Sequence, residues 1–156
     1  MTVSAMGAGA RRLAAVLLAA ATVVLLSSAA ASAHVKRRIE ALHWAETQAG
    51  APYVYGGTGP YSAGYDCSGL VFKAYLKATG VNIGRTTGDM LASRRLVRTS
   101  KPRPGDLAFF GSGHVELVQR WRWHWTFGAH DAGSVVSPIH WQYPYWYPTA
   151  YYRLRY

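Results

Sequence analysis

A single cysteine, Cys67, stands in a chain of 156 residues, and acids are scarce as well: seven Asp and Glu face 17 Lys and Arg. One thiol cannot close an internal disulfide, so Cys67 is a buried spectator, an intermolecular bridge or a reactive group. The shortage of acids leaves a formal net charge of +10, which asks for an anionic partner surface. No internal repeat and no long Ser/Pro/Gly linker divides the chain. Apolar runs are also limited. "LAAVLLAAATVVLL", residues 13–26, is shorter than the ~20 residues of a membrane span. Arg11 and Arg12 precede it and Ala31-Ser32-Ala33 follows it, the layout of a secretory leader cut after Ala33. No cysteine lies near that junction, which excludes a lipid-modified start. The expected organisation is a leader over 1–33 and one domain over 34–156. That domain is expected to be exported, monomeric and free of stable membrane insertion once cleaved. Export argues against nucleic acid as the partner of its positive charge.

The domain reads as helices first and strands later. "HVKRRIEALHWAETQAG" has helical spacing, with Val35, Ile39, Leu42 and Ala49 near one face and Gly50 as a stop. The glycine-rich "APYVYGGTGPYSAGY" leads to a second helix capped by Asp66 and ended by Gly80. Its buried stripe is Leu70, Val71, Ala74, Tyr75 and Ala78. A short third helix starts near Thr86. After "KPRPGD", the runs "DLAFFG", "HVELVQR", "WTFGAH" and "AYYRLRY" have strand character between turn residues. "SPIHWQYPYWYP" is too rich in proline for a central strand and reads as a loop or an edge. The fold class is therefore α+β with an antiparallel sheet.

Cys67 falls at the first turn of the second helix, where free amide donors and the helix dipole favour a thiolate. A nucleophile also needs a base, and the base needs an orienting group. His34 and His43 belong to the first helix. His114 opens a strand entered from "GSG", where small residues leave room beside the imidazole. His130 follows 16 residues later. A hairpin centred on Arg122 would set the two rings opposite each other on one face. The alternating "WRWHWTF" does not decide where such a hairpin turns, so Asp131, His124 and His140 remain rivals for the third role. No spacing of these histidines with Cys67 forms a zinc ligand set, and no metal or other cofactor is expected.

"PYVYGGTGPYSAGYDCSGLVFKAY", "RTT", "RPGDLAFFGSGHVELV" and "FGAH", in that order, resemble the NlpC-type cell-wall cysteine peptidases. The likeness runs from the first helix to about residue 135. It implies a papain-like fold, with helices, one bearing the cysteine, packed on an antiparallel sheet. It also implies Cys67 as nucleophile, His114 as general base and acid, and His130 as the group orienting His114. Tyr53 matches a tyrosine near the thiol in that family, whereas Tyr55 stands where tryptophan is common. Asp66 and Ser68 are implied binders of the free amino end of a stem peptide, and Arg85 of a substrate carboxylate. The implied activity is a secreted, wall-associated bacterial hydrolase. Its substrate would be peptidoglycan stem peptides, cut between γ-D-glutamate and meso-diaminopimelate or lysine, with anionic wall polymers held by the basic surface. An amidase or acyltransferase on the same residues, and a non-catalytic wall-binding module, are the alternatives. The aromatic "SVVSPIHWQYPYWYPTAYYRLRY" matches no motif of that family and reads as core or as a cleft wall.

Overall fold

The computed structural model describes residues 23, 24 and 32–155. The expected leader lies almost wholly outside the described residues. Among them, no helix is long and apolar enough to cross a membrane. The chain divides into two units, residues 1–35 and 36–156, and the second carries everything that follows.

Helix α1 covers residues 32–46 and gives way to a turn over 47–50. Its buried positions in the second unit are Arg38, Ala41, Leu42 and Ala45. Of the expected face, Leu42 is buried and Ile39 half-buried, whereas Ala49 is exposed in the turn and the polar Arg38 is buried beside Ala41 and Leu42. Its Nε donates to the Pro104 carbonyl at 2.6 Å. Helix α2 is Cys67–Thr79, and Asp66 caps it by accepting from the Gly69 N–H. Gly80 closes it in the left-handed conformation, with φ 71°, where a residue without Cβ is under no strain. Helix α3, Thr87–Ala92, is held by a capping box between Thr86 and Asp89.

Among the described residues, six strands make one sheet: β1 Leu96–Arg98, β2 Leu107–Phe110, β3 His114–Arg120, β4 Trp125–Gly128, β5 Ser137–His140 and β6 Ala150–Leu154. Their order is β1-β6-β2-β3-β4-β5, and each neighbouring pair is antiparallel. β5 is an edge strand, which is where Pro138 can sit without costing a ladder hydrogen bond. Alternation along the strands sorts the side chains into two layers. Leu107, Phe109, Val115, Leu117 and Phe127 meet Leu70, Val71, Ala74 and Tyr75 of α2 and the buried face of α1. Ala108, Phe110 and Val118 face the other way, under Trp141 with Trp146 and Tyr151 against them. The aromatic C-terminal segment therefore builds a second small core. The fold is an α+β layer of helices on an antiparallel sheet, with the cysteine on a helix.

Candidate active site

Asp66 shapes the entry to α2. Its Oδ1 accepts from the Gly69 N–H at 2.5 Å, the Ser68 hydroxyl at 3.2 Å and Arg85 Nη1 at 3.1 Å. Its Oδ2 accepts from the Gly56 N–H at 3.0 Å and Arg85 Nη2 at 2.9 Å. Five donors thus converge on one carboxylate that is 8% exposed. Arg85 also donates to the Ser68 hydroxyl at 3.1 Å, and its side chain is 31% exposed. Cys67 follows this knot as the first residue of α2 and is 7% exposed. First-turn N–H groups have no acceptor within their own helix, so the Cys67 amide points into the space ahead of it. That space is a cleft of about 360 Å³ lined by Tyr53, Tyr55, Asp66, Cys67, Ser68 and Arg85, among others. Burial, then the nearby Cys67 and Asp66 charges, raise the Tyr53 hydroxyl pKa above its ordinary value, so it remains a proton donor.

The imidazoles arrive from the sheet. The β3–β4 register pairs Leu117 with Phe127 and Val118 with Thr126. Continued outward, it sets Glu116 against Gly128 and His114 against His130. All of these except Leu117 and Phe127 share one face. His114 faces the Cys67 side chain, whose proximity helps to raise the imidazole pKa. Its Nε2 donates to Glu116 Oε1 at 2.8 Å, which leaves Nδ1 for the thiol. His130 Nδ1 donates to the same Oε1 at 3.0 Å. The Thr126 hydroxyl donates to Oε2. The two imidazoles lie 5.5 Å apart at 75°, and Glu116 is the atom-level link between them.

Glu116 is fully buried and was not singled out from the sequence. A signal existed: an acid two residues after a histidine, on the same face of a strand and between the apolar residues Val115 and Leu117. What admits it is Gly128, since a Cβ there would lie 2.7 Å from Glu116 Cγ. Trp146 closes the outer side, 5.4 Å from the His114 ring and 5.0 Å from His130, and stacks on Phe110 at 4.5 Å. His124 and His140 lie elsewhere, at the far end of the β3–β4 hairpin, where His124 stacks on Trp141 at 4.2 Å. Asp131 is exposed in a turn closed by Ser134.

Electrostatics follow from this burial. Desolvation opposes a charged His114, but hydrogen bonds to Cys67 and Glu116, and the charges of both, raise its pKa from 6.5 to about 9. Desolvation also opposes a charged Glu116, yet the hydrogen bonds from both histidines outweigh it and its pKa is lowered. The pair is therefore imidazolium and carboxylate near neutral pH. His114, Glu116 and His130 offer one ligand atom each within 4.8 Å, a spacing open to a divalent cation. At 2.8 and 3.0 Å, however, the contacts are hydrogen bonds that each use a ring proton.

The model of the NlpC/P60 family matches residues 50–146, which include the cysteine, both imidazoles and Glu116. The chain belongs to the NlpC/P60 family. The probable endopeptidase YafL of Escherichia coli is 49% identical over 72 residues, covering 45% of this chain and 28% of YafL. The peptidoglycan endopeptidase RipB of Mycobacterium tuberculosis is 35% identical over 100 residues, 54% of this chain and 41% of RipB. This NlpC/P60 chain thus spans less than half the length of these curated relatives. The crystal structure of RipB superimposes with a TM-score of 0.64 at 27% identity, covering 80% of this chain and 68% of that one. The NlpC/P60 domain of the peptidoglycan hydrolase SagA gives 0.62 at 27% identity, over 76% of this chain and 98% of the domain.

Proposed function

We propose that this chain is a secreted cysteine endopeptidase that cuts peptidoglycan stem peptides, between γ-D-glutamate and meso-diaminopimelate or lysine. The observation that carries the reading is the sequence of contacts from Cys67 to His114 to Glu116, at the mouth of a cleft. A thiol at a helix N-terminus, beside an imidazole whose second nitrogen is fixed by a carboxylate, is what nucleophilic catalysis requires. The family relation to peptidoglycan endopeptidases supports the substrate class. The working unit is taken as residues 34–156, released from a leader over 1–33.

Cys67 Sγ, as thiolate beside protonated His114, attacks the scissile carbonyl carbon. The backbone N–H of Cys67 and the Tyr53 hydroxyl stabilise the oxyanion. As the C–N bond breaks, His114 Nδ1 gives its proton to the leaving amine, which departs and leaves a thioester on Cys67. Water then attacks the thioester carbonyl, passes a proton to Nδ1 and expels the thiolate. Glu116 holds the His114 tautomer, and His130 acts through it by fixing Oε1. Ser68 and Arg85 face the substrate. Arg85 is the group for a substrate carboxylate, because its guanidinium is partly exposed and already oriented by Asp66. Asp66 itself has both oxygens occupied, so its role toward a substrate ammonium is to supply negative charge behind Ser68.

Mass spectrometry of defined muropeptides, beside a Cys67→Ala control, tests this. Products divided between D-glutamate and the diamino acid, absent with the control, are the expected outcome. No product from reduced, folded protein would transfer the reading to an acyltransferase or a silent wall-binding relative.

A further inference from the structure

A second groove lies at the far end of the β3–β4 hairpin. β3 runs seven residues from His114 to Arg120, so at ~3.3 Å per residue its two ends lie about 20 Å apart, with His114 at one and the groove at the other. It encloses about 540 Å³ between Pro102, Arg103 and Pro104 on one side and Gln119–Trp123 on the other. Volumes of this order are typical of ligand sites. Trp123 is 72% exposed and Trp121 41% exposed, although ample buried surface exists in both cores. Arg103, Arg120 and Arg122 line the same groove, and no acid does. Among the described residues, none of these three arginines is in an ion pair.

Both walls are held in place. Residues 121–123 form a 3-10 turn closed by the His124 N–H donating to the Trp121 carbonyl at 3.0 Å. His124, which follows the turn, stacks on Trp141 at 4.2 Å. Opposite, the Pro104 carbonyl accepts from buried Arg38, and the Gly105 N–H donates to the Val118 carbonyl at 2.7 Å. Ordering costs on binding are correspondingly reduced.

We propose that this groove binds an acidic polysaccharide, with sugar rings against the Trp121 and Trp123 faces and carboxylate or phosphate substituents on the arginines. Flat indole faces suit the apolar side of a sugar ring, and guanidinium forks match planar anions two hydrogen bonds at a time. A concave groove suits a strand-like polymer better than a flat bilayer. A single-stranded nucleic acid would satisfy rings and charge alike. The choice of a glycan rests on the wall-hydrolase reading above. Bound polymer would keep the enzyme on its matrix while the cleft, at the other end of β3, stays free for stem peptides.

The test is calorimetric titration of the full chain with four probes: hexagalacturonate, neutral maltohexaose, inorganic polyphosphate of matched charge, and a dT hexanucleotide. Hexagalacturonate is expected to bind at least tenfold more tightly than the other three. Trp123→Ala and Arg122→Ala should each weaken it at least fivefold, Arg122→Lys less, and all should leave Cys67 alkylation unchanged. Polyphosphate binding as tight as hexagalacturonate, untouched by Trp123→Ala, would reduce the groove to bare charge and overturn the proposal. Tighter binding of dT would make it a nucleic-acid site, and no binding of hexagalacturonate would end it. Muropeptide cleavage is read separately, so a failed hydrolase reading and a failed groove cannot be confused.

Discussion

Glu116 is the residue whose environment explains the most about the site. A buried carboxylate without partners would take up a proton, but three donors hold this one ionised, and it in turn holds His114 charged. The consequence is a pH range. His114 should keep its proton until near pH 9, so hydrolysis, which needs that proton for the leaving amine, should fall along an alkaline limb there. Glu116→Gln keeps the shape and one acceptor but removes the charge. Its alkaline limb should move down toward the ordinary imidazole value of 6.5, a displacement that a purely structural role would not produce. The same linkage acts on stability. A folded pKa above the unfolded one means that His114 contributes fully below pH 6.5, and that the contribution is lost as pH rises through about 9. Denaturation midpoints measured across this window should therefore decline for the wild type and stay flatter for Glu116→Gln. An unchanged alkaline limb in that variant would remove Glu116 from the mechanism.

At the scale of the element, α2 is a helix whose start is overdetermined. Asp66→Ala removes the cap, worth about 1 kcal/mol, and strips Arg85 of its partner, so a total loss of about 2 kcal/mol is expected in urea denaturation. Asp66→Asn keeps an acceptor for the Gly69 N–H and should lose less. Gly69→Ala should be worse than either, because a Cβ there would lie 1.9 Å from the Gly57 carbonyl oxygen. If that variant were as stable as Asp66→Asn, the loop over 56–57 could not be packed against α2 as described. These features also show what the sequence made legible. Asp66 and Gly80 marked both ends of α2, Thr86 marked the start of α3, and Pro138 marked β5 as an edge, since each is a local rule with a local cause. β1 escaped because three residues, Leu96–Arg98, carry too little period to read, and their strand geometry comes from pairing with β6. Glu116 escaped for a related reason. Strand alternation gives its face, but burial there depends on Gly128 and Trp146, 12 and 30 residues away along the chain, and no local pattern encodes that. On α1 the apolar spacing marks Leu42 as inward but not Arg38, which is buried by partners beyond residue 100.

The domain as a whole, residues 36–155, is tied together at Asp106, the acid of "RPGDL". It is fully buried at the start of the sheet. Arg153 of β6 donates to it twice, at 2.9 and 2.6 Å, and the Arg103 N–H donates at 2.8 Å. Arg38 of α1 lies 3.7 Å away and is nearly buried as well. One carboxylate therefore joins the N-terminal helix, the turn before β2 and the last strand, segments that meet only late along the chain. Removing one partner of such a cluster is costlier than the cluster is worth, because the remaining charges stay buried without compensation. Asp106→Asn should lower unfolding free energy by about 3–5 kcal/mol. In urea this would appear as a lower midpoint with an unchanged slope, since the folded surface is the same. Cys67 alkylation at neutral pH without denaturant should remain at the wild-type rate, because the thiol, His114 and Glu116 are held by α2, β3 and β4. A loss of alkylation in parallel with the fall in midpoint would mean that the Asp106 cluster and the candidate site are one cooperative unit. An unfolding free energy within about 1 kcal/mol of wild type would mean that packing of the two cores holds these three segments together without the charge.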